Sequence, residues 1–384
     1  MILLLAACAF RPPAETPALV AAEGPVQTVP LPAGEPLRVA LRAGSAHDPP
    51  GREGLAWVAA HAIAAAAGAT VEVGPEIVVF TPAPDGANAL AAALAAPPSD
   101  ARVADAQSAA LAALAGLDCR GLAARAWDAW VYAGHPYGHA PEGRSSVLPT
   151  LTTSEVAAFQ QVRYVRSVAV VGVPSGVTVD TRAFESLPPR LSVSPVPAVR
   201  LPLPMARVLV VTAEDARCMV AGHPGSAEGV NPVVSALLDA PQAPVFAQRR
   251  EPRRLVALPL PPEFDVRARV DAVLAGGWLP LWQASRVLAP EATIPASAAL
   301  GDALLAQRAW PALAHPLTVG GGAPAADVTT AILAPPPLDT ALSAWLTPAD
   351  LRVVVVLPAA DALVFESPAP AGVQAALSAQ ELLR

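Results

Sequence analysis

The 384-residue sequence contains no lysine; its 25 basic residues are all arginines. No Gly-x-x-x-x-Gly-Lys phosphate loop is therefore possible. Charged residues of any kind make up only 15%, and the net charge is −7. No basic stripe is long enough to serve a nucleic acid, which excludes that class of partner. The densest basic cluster, Arg249, Arg250, Arg253 and Arg254, reads as an arginine-rich helix end or loop. Cysteine is also scarce. Cys8, Cys119 and Cys218 are a poor basis for a disulfide framework. No serine and histidine occur in a nucleophile elbow such as Gly-x-Ser-x-Gly, and no stretch beyond the N-terminus is apolar for long enough to span a bilayer.

Proline, by contrast, is abundant, at 45 residues. Together with the alanine and arginine excess it points to biased codon usage, so part of this composition carries no functional meaning. The first eight residues, "MILLLAAC", place Leu5-Ala6-Ala7 directly before Cys8. This looks like a bacterial lipoprotein signal, with Cys8 as the lipidated residue. The apolar stretch is short and lacks a basic start, which leaves a start further upstream as the alternative. Residues 9–36 are Pro-rich and read as an extended tether. These features place the protein in the bacterial cell envelope, on the periplasmic side, touching the membrane only through a lipid anchor.

After the tether, residues 37–44 read as a strand, "HDPPG" as a turn, and 53–67 as a helix. "TVEV" and "EIVVF" form a hairpin around Gly74-Pro75. Alanine-rich helices are expected near 86–96, 102–115 and 119–133. A Gly/Pro/His loop follows, then a helix opened by the capping-box pair Thr152 and Glu155, and a buried strand at 167–173. A Pro-rich link, 186–204, precedes a restart. "ARVLVVTA" and "ARCMVAG" read as strands and "SAEGVNPVVSALLDA" as a helix. "LTPADLRVVVVLP" (346–358) echoes "LTTSEV…SVAVVGV", without the intervening helix. The expected fold is α+β in two related halves, 37–185 and 205–384, the second shortened.

Three segments in this order and spacing resemble the pitrilysin/insulinase family of zinc metallopeptidases, including its mitochondrial-processing members. They are "LRAGSAHDPPGREGLAWVAAHA", "YAGHPYGHAPEG" and "LTTSEVAAFQQVRYVRSVAVVGV". The likeness covers residues 37–175 well, thins over 205–260 and is very thin beyond. The most specific match is the loop His135, Pro136, Tyr137, Gly138 ahead of the threonine-capped helix. The resemblance implies paired halves, each a sheet covered by helices on one side, as half of a clamshell that closes around a peptide. It therefore also implies a partner subunit.

Zinc hydrolysis needs three protein ligands, an open position for water and a general base. In the family these come from His-x-x-Glu-His, whose histidines share one helix face, and a downstream glutamate. Here the five positions read Trp57-Val58-Ala59-Ala60-His61. Trp57 cannot ligate zinc, Ala60 has no base, and only His61 remains. Between Glu76 and Glu142 there is no glutamate; Asp100, Asp105 and Asp118 lie there, none in a glutamate-like motif. His135 and His139 flank Pro136 and Gly138 in a loop, where helix spacing does not apply. His61 is accordingly expected to be a helix histidine hydrogen-bonded to a neighbour, and Trp57 a plug in the cleft or ordinary core.

The family's arginine–tyrosine pair, which stabilises transition-state charge, finds its best match in "RREPRRLVA". Arg250 is the candidate substrate contact, and Ala257 stands at the tyrosine position. His223 reads as a turn residue in the junction "AGHPGSAEGVNP". These readings predict no resident metal and a non-catalytic partner or scaffold, binding peptides for an active homologue in a heterodimer. The alternatives are a stand-alone peptide-binding or structural lipoprotein, and a metalloendopeptidase with an unrecognised zinc site.

Overall fold

The computed structural model describes residues 26–31, 33–34, 36–166, 169–189, 196, 204–224, 245–246, 253–258, 260, 262–277, 351–365 and 373–383. Cys8, Arg249, Arg250 and the helix expected over 226–240 lie outside them. Two sheets form the frame. Sheet A comprises β1 (Gln27–Leu31), β2 (Arg38–Leu41), β3 (Thr70–Val73), β4 (Val78–Thr81) and β5 (Ala169–Pro174). Sheet B comprises β6 (Val208–Thr212), β7 (Cys218–Pro224), β8 (Val245–Phe246), β9 (Arg253–Leu258), β10 (Arg352–Leu357) and β11 (Val373–Ser378).

The internal echo is a repeat of topology. Sheet A runs β1-β5-β2-β4-β3, and sheet B runs β6-β10-β7-β9-β8 with β11 added outside β6. The first pair of each series is parallel, and the next three are antiparallel. Thus β5 and β10, the two valine-rich strands of the echo, occupy equivalent places. β1 is the counterpart of β6, and it lies in the stretch read as tether. Its pairing with β5 and the burial of Val26 and Leu31 recruit it into the sheet. Pro30 is tolerated because β1 is an edge strand, where a missing amide breaks no central ladder.

The other expectations shift locally. Arg253 and Arg254 belong to strand β9, not to a helix end or loop, and His223 belongs to β7, paired with Arg254, not to a turn. Residues next to prolines and arginines read as punctuation, but cross-strand pairing overrides that local signal.

Helices α1 (Leu55–Ala67), α2 (Ala87–Ala95), α3 (Asp100–Ala115) and α5 (Thr153–Arg163) cover one face of sheet A. α1 is central, touching α2, α3 and α5. Its alanines let neighbours approach closely, and most of its residues are buried. Val39, Leu41, Val78, Phe80 and Val171 supply the sheet side of this core. The capping box of α5 forms as expected: Glu155 N donates to Thr152 Oγ1 and Thr152 N to Glu155 Oε2. Gln160 then donates its amide to the carbonyls of Ala93, Leu94 and Ala96, satisfying the end of α2.

α4 (Cys119–Val131) does something different. It packs on sheet B. Leu122, Ala123, Ala126, Trp127 and Trp130 meet Leu209, Val211, Val220, Val354 and Val356 in one buried cluster. The Trp127 indole donates to the carbonyl of Arg352 across this contact, at 3.3 Å. A helix that precedes the link in sequence therefore covers the sheet that follows it. The described helices beyond the link are short: α6 (Val266–Ala272), α7 (Ala359–Ala362) and α8 (Ala379–Leu383).

Cys119, first in α4, and Cys218, first in β7, form a disulfide across 99 residues. This corrects the sequence expectation: three cysteines build no framework, yet two of them staple α4 to sheet B. Closing a loop of this length removes unfolded-state entropy equivalent to roughly 4–5 kcal/mol. The double substitution C119S/C218S should therefore lower the unfolding free energy by about 2–5 kcal/mol. Urea unfolding checks this; a loss of a few tenths would mean that packing alone seats α4.

Candidate functional site

Gly54 opens α1 with φ +102°, and Gly143 has φ +96°. A Cβ on Gly143 would stand 2.5 Å from the Gly54 Cα, and one on Gly54 would stand 2.7 Å from the Glu142 carbonyl. Both positions therefore require glycine, for conformation and for space. The buried Asp48 carboxylate fixes the start of α1, accepting from Gly54 N and Ala56 N, each at 2.7 Å. Burial pushes this carboxyl above its ordinary range, and the two amides oppose that shift.

Gly54, Trp57 and His61 follow at helical spacing along one stripe of α1. The Trp57 and His61 rings stack with centroids 4.1 Å apart, tilted by 26°. The expected hydrogen bond from His61 to a neighbour does not appear at Nε2, which is buried without a partner, as is the Trp57 indole nitrogen. Stacking replaces hydrogen bonding because the tryptophan one turn earlier covers the imidazole. Ala60 is fully buried, so no solvated space remains for a base at that position.

The acid beside this stripe is Glu142. Arg125 of α4 holds it at 3.0 Å, with both side chains largely buried. Its second oxygen, Oε2, is buried and unpartnered. Burial holds the His61 imidazole below its ordinary pKa, and the Glu142 charge pulls the other way. One histidine and one carboxylate already paired with a guanidinium do not make a zinc site. Among the described residues, no group of three His, Cys, Asp or Glu side chains could hold a metal ion. Asp100 and Asp118 take other work: Asp100 accepts from Thr153 Oγ1, and Asp118 caps α4 through Gly121 N, while Asp105 is exposed on α3.

The loop after α4 is a clamp between segments. Pro136–Gly138 forms a short 3-10 turn capped by the His135 ring, which accepts from Tyr137 N. Tyr137 donates its hydroxyl to Glu76 at 2.5 Å, and Arg42 pairs with the other oxygen of Glu76 at 3.3 Å. Burial first, and the Glu76 charge second, keep the phenol protonated. Gly138 is tight against the chain: a Cβ there would stand 2.5 Å from the Tyr132 carbonyl. His135, Pro136, Tyr137 and Gly138 thus come together as a structural unit. His139 bonds the Ala140 carbonyl through Nδ1, not a ligand set.

Sequence reasoning singles out Trp57, Ala60 and His61 but misses Glu142, Arg125, Glu76 and Asp48. The glutamate followed by glycine in "PEGR" is the one available signal, since it mirrors "REG" before α1. Nothing in the spacing announces that the two glycines touch.

No family model matches the sequence, and no curated protein matches it in sequence. Solved structures do match in fold. A peptidase M16 inactive domain from Pseudomonas fluorescens aligns with a TM-score of 0.63 at 16% identity, covering 89% of this chain and 97% of that one. A protease from Helicobacter pylori aligns at 0.61 and 13%, covering 88% and 98%. Pitrilysin aligns at 0.53 and 14%, covering 84% of this chain and 42% of that one.

Two outcomes are expected from the contacts above. Tyr137→Phe should cost about 1.5–3 kcal/mol, the range for a lost hydrogen bond to a charged group, read by urea unfolding. Protonation of the buried histidines should also oppose folding. Burial lowers His47 from 6.5 to about 3, and His61 and His139 shift the same way. The unfolded chain takes up these protons first, so the histidine share of the stability falls as pH drops below the ordinary histidine range, while the raised Asp48 carboxyl takes up its proton in the folded chain first and opposes that loss. His47 alone should cost about 2 kcal/mol between pH 7 and pH 5, read as the difference in pH dependence of unfolding between the natural chain and His47→Gln; the same pH dependence in both contradicts the assignment. The chain has the fold of M16 peptidase domains, with a tryptophan stacked on the lone histidine where the resemblance expects metal ligands.

Proposed function

We propose that the protein is a non-catalytic partner or scaffold subunit for an active homologue of the same fold, and that it holds peptides without cleaving them. The observation that carries this reading is the Trp57–His61 stack: the ring at one expected ligand position lies against the imidazole at the other. With Ala60 sealed in the core and Glu142 committed to Arg125, the described residues offer neither a ligand set nor a base for metal hydrolysis. The likeness to an M16 domain described as inactive supports the reading by analogy of fold.

The reading includes a place. A disulfide such as Cys119–Cys218 persists in oxidising compartments, which favours the periplasmic side of the bacterial envelope. Cys8 would supply the lipid anchor there, and its replacement by serine should release the protein from membranes.

Purified full-length protein should carry no stoichiometric zinc and cleave no unstructured peptide. Coexpressed with a homologue bearing an intact His-x-x-Glu-His, it should copurify and raise that homologue's peptidase activity. Stoichiometric zinc together with hydrolysis abolished by His61→Ala would sink the proposal. A persistent monomer that changes no homologue's activity would favour the stand-alone binding lipoprotein instead.

A further inference from the structure

We propose that the Cys119–Cys218 bond is a redox latch: oxidised, it seats α4 on sheet B and so fixes the polar contacts α4 and its loop make with the first half; reduced, it loosens all of them together. Three placements carry this. The bond joins the first residue of α4 to the first residue of β7. The buried face of α4, with Trp127 and Trp130 at its centre, covers β6, β7 and β10. The opposite connections run into the first half. Arg125 of α4 holds Glu142 of the following loop, whose neighbour Gly143 packs against Gly54 at the start of α1, and Tyr137 in the same loop holds Glu76 and through it Arg42.

The latch has a weak side and a strong side. The first half has its own core of α1, α2, α3 and α5 on sheet A and does not need α4 for closure. On sheet B, α4 is the main described helical cover of that face, with Ala379, Leu382 and Leu383 of α8 packed beside it. Loss of the bond should therefore open the structure locally, along α4 and its contacts, before the first half responds.

The chemistry needs a dithiol reductant. Its thiolate attacks the sulfur of Cys119, which is half-buried, whereas Cys218 is 8% exposed. The S–S bond breaks, Cys218 leaves as a thiolate and takes a proton, and a mixed disulfide forms at Cys119. The second thiol of the reductant then attacks its own bound sulfur and expels Cys119. That thiolate leaves at the N-terminus of α4, where the helix dipole favours a negative charge. Two electrons and two protons pass to the protein, and the reductant becomes a disulfide.

Amide hydrogen exchange on the full chain, oxidised and then reduced with dithiothreitol, tests the proposal. Reduction should speed exchange over 119–143 and in β7 and β10 at least about tenfold more than in α1 and the β3–β4 hairpin, whose amides follow only the change in global stability, as expected for a sub-global opening. The C119S/C218S variant should show the reduced pattern and ignore the reductant; if it does not fold, a reductant titration of the natural chain gives the same readout. Unchanged exchange on reduction would overturn the proposal. So would uniform acceleration along the chain, which would make the bond a global staple, or two free thiols at these cysteines in protein isolated from an oxidising compartment.

Discussion

Everything around the candidate site depends on two backbones touching. Gly54 and Gly143, both in the left-handed region, let the start of α1 press against the loop after α4 with no side chain between them. Asp48 holds the α1 end of that contact through two amides. The consequence is positional. Trp57 and His61 rise from α1 beside the contact, and Glu142 comes to them from the other side. A single Cβ at either glycine would part these elements, so the polar remnant and the helix packing stand on the same constraint.

Residue types used in catalysis gather beside this contact, held by packing and pairing among themselves. An imidazole, a carboxylate and a guanidinium lie near one another, but each is spent. The imidazole is stacked, and the carboxylate is ion-paired. Three of their polar atoms, His61 Nε2, Arg125 Nη1 and Glu142 Oε2, and the Trp57 Nε1 beside them are buried without hydrogen-bond partners. Such atoms normally cost about 1–3 kcal/mol each. Their gathering in one place marks a region whose packing outweighs its polar satisfaction.

Much of the fold was legible. Alternating apolar runs announced β2 to β5, alanine-rich periodic stretches announced α1 to α4, and Thr152 with Glu155 announced α5, because each signal is local. β1 was not, since "QTVPL" sits among prolines and becomes a strand only by pairing with β5. The repeat could be suspected from two valine-rich strands, but only the strand order establishes it. The placement of Trp57, Ala60 and His61 on one helix could be read from the sequence. The Arg125–Glu142 pair and the disulfide could not, because they join residues whose proximity is decided by α4 crossing between sheets.

That crossing separates two ideas of a half. By strand order, the chain is one motif written twice. By packing, the first copy lends a helix to the second, so the seam between copies does not coincide with the seam between cores. A fragment ending at the Pro-rich link would expose the Trp127 and Trp130 face of α4, and a fragment starting there would expose sheet B. The first piece would keep its own core but carry an uncovered apolar helix face, and the second would lack the cover of its sheet. Gene fusions, truncations and swaps that respect the repeat would still cut through a core, and the smallest heritable module of this architecture is the pair.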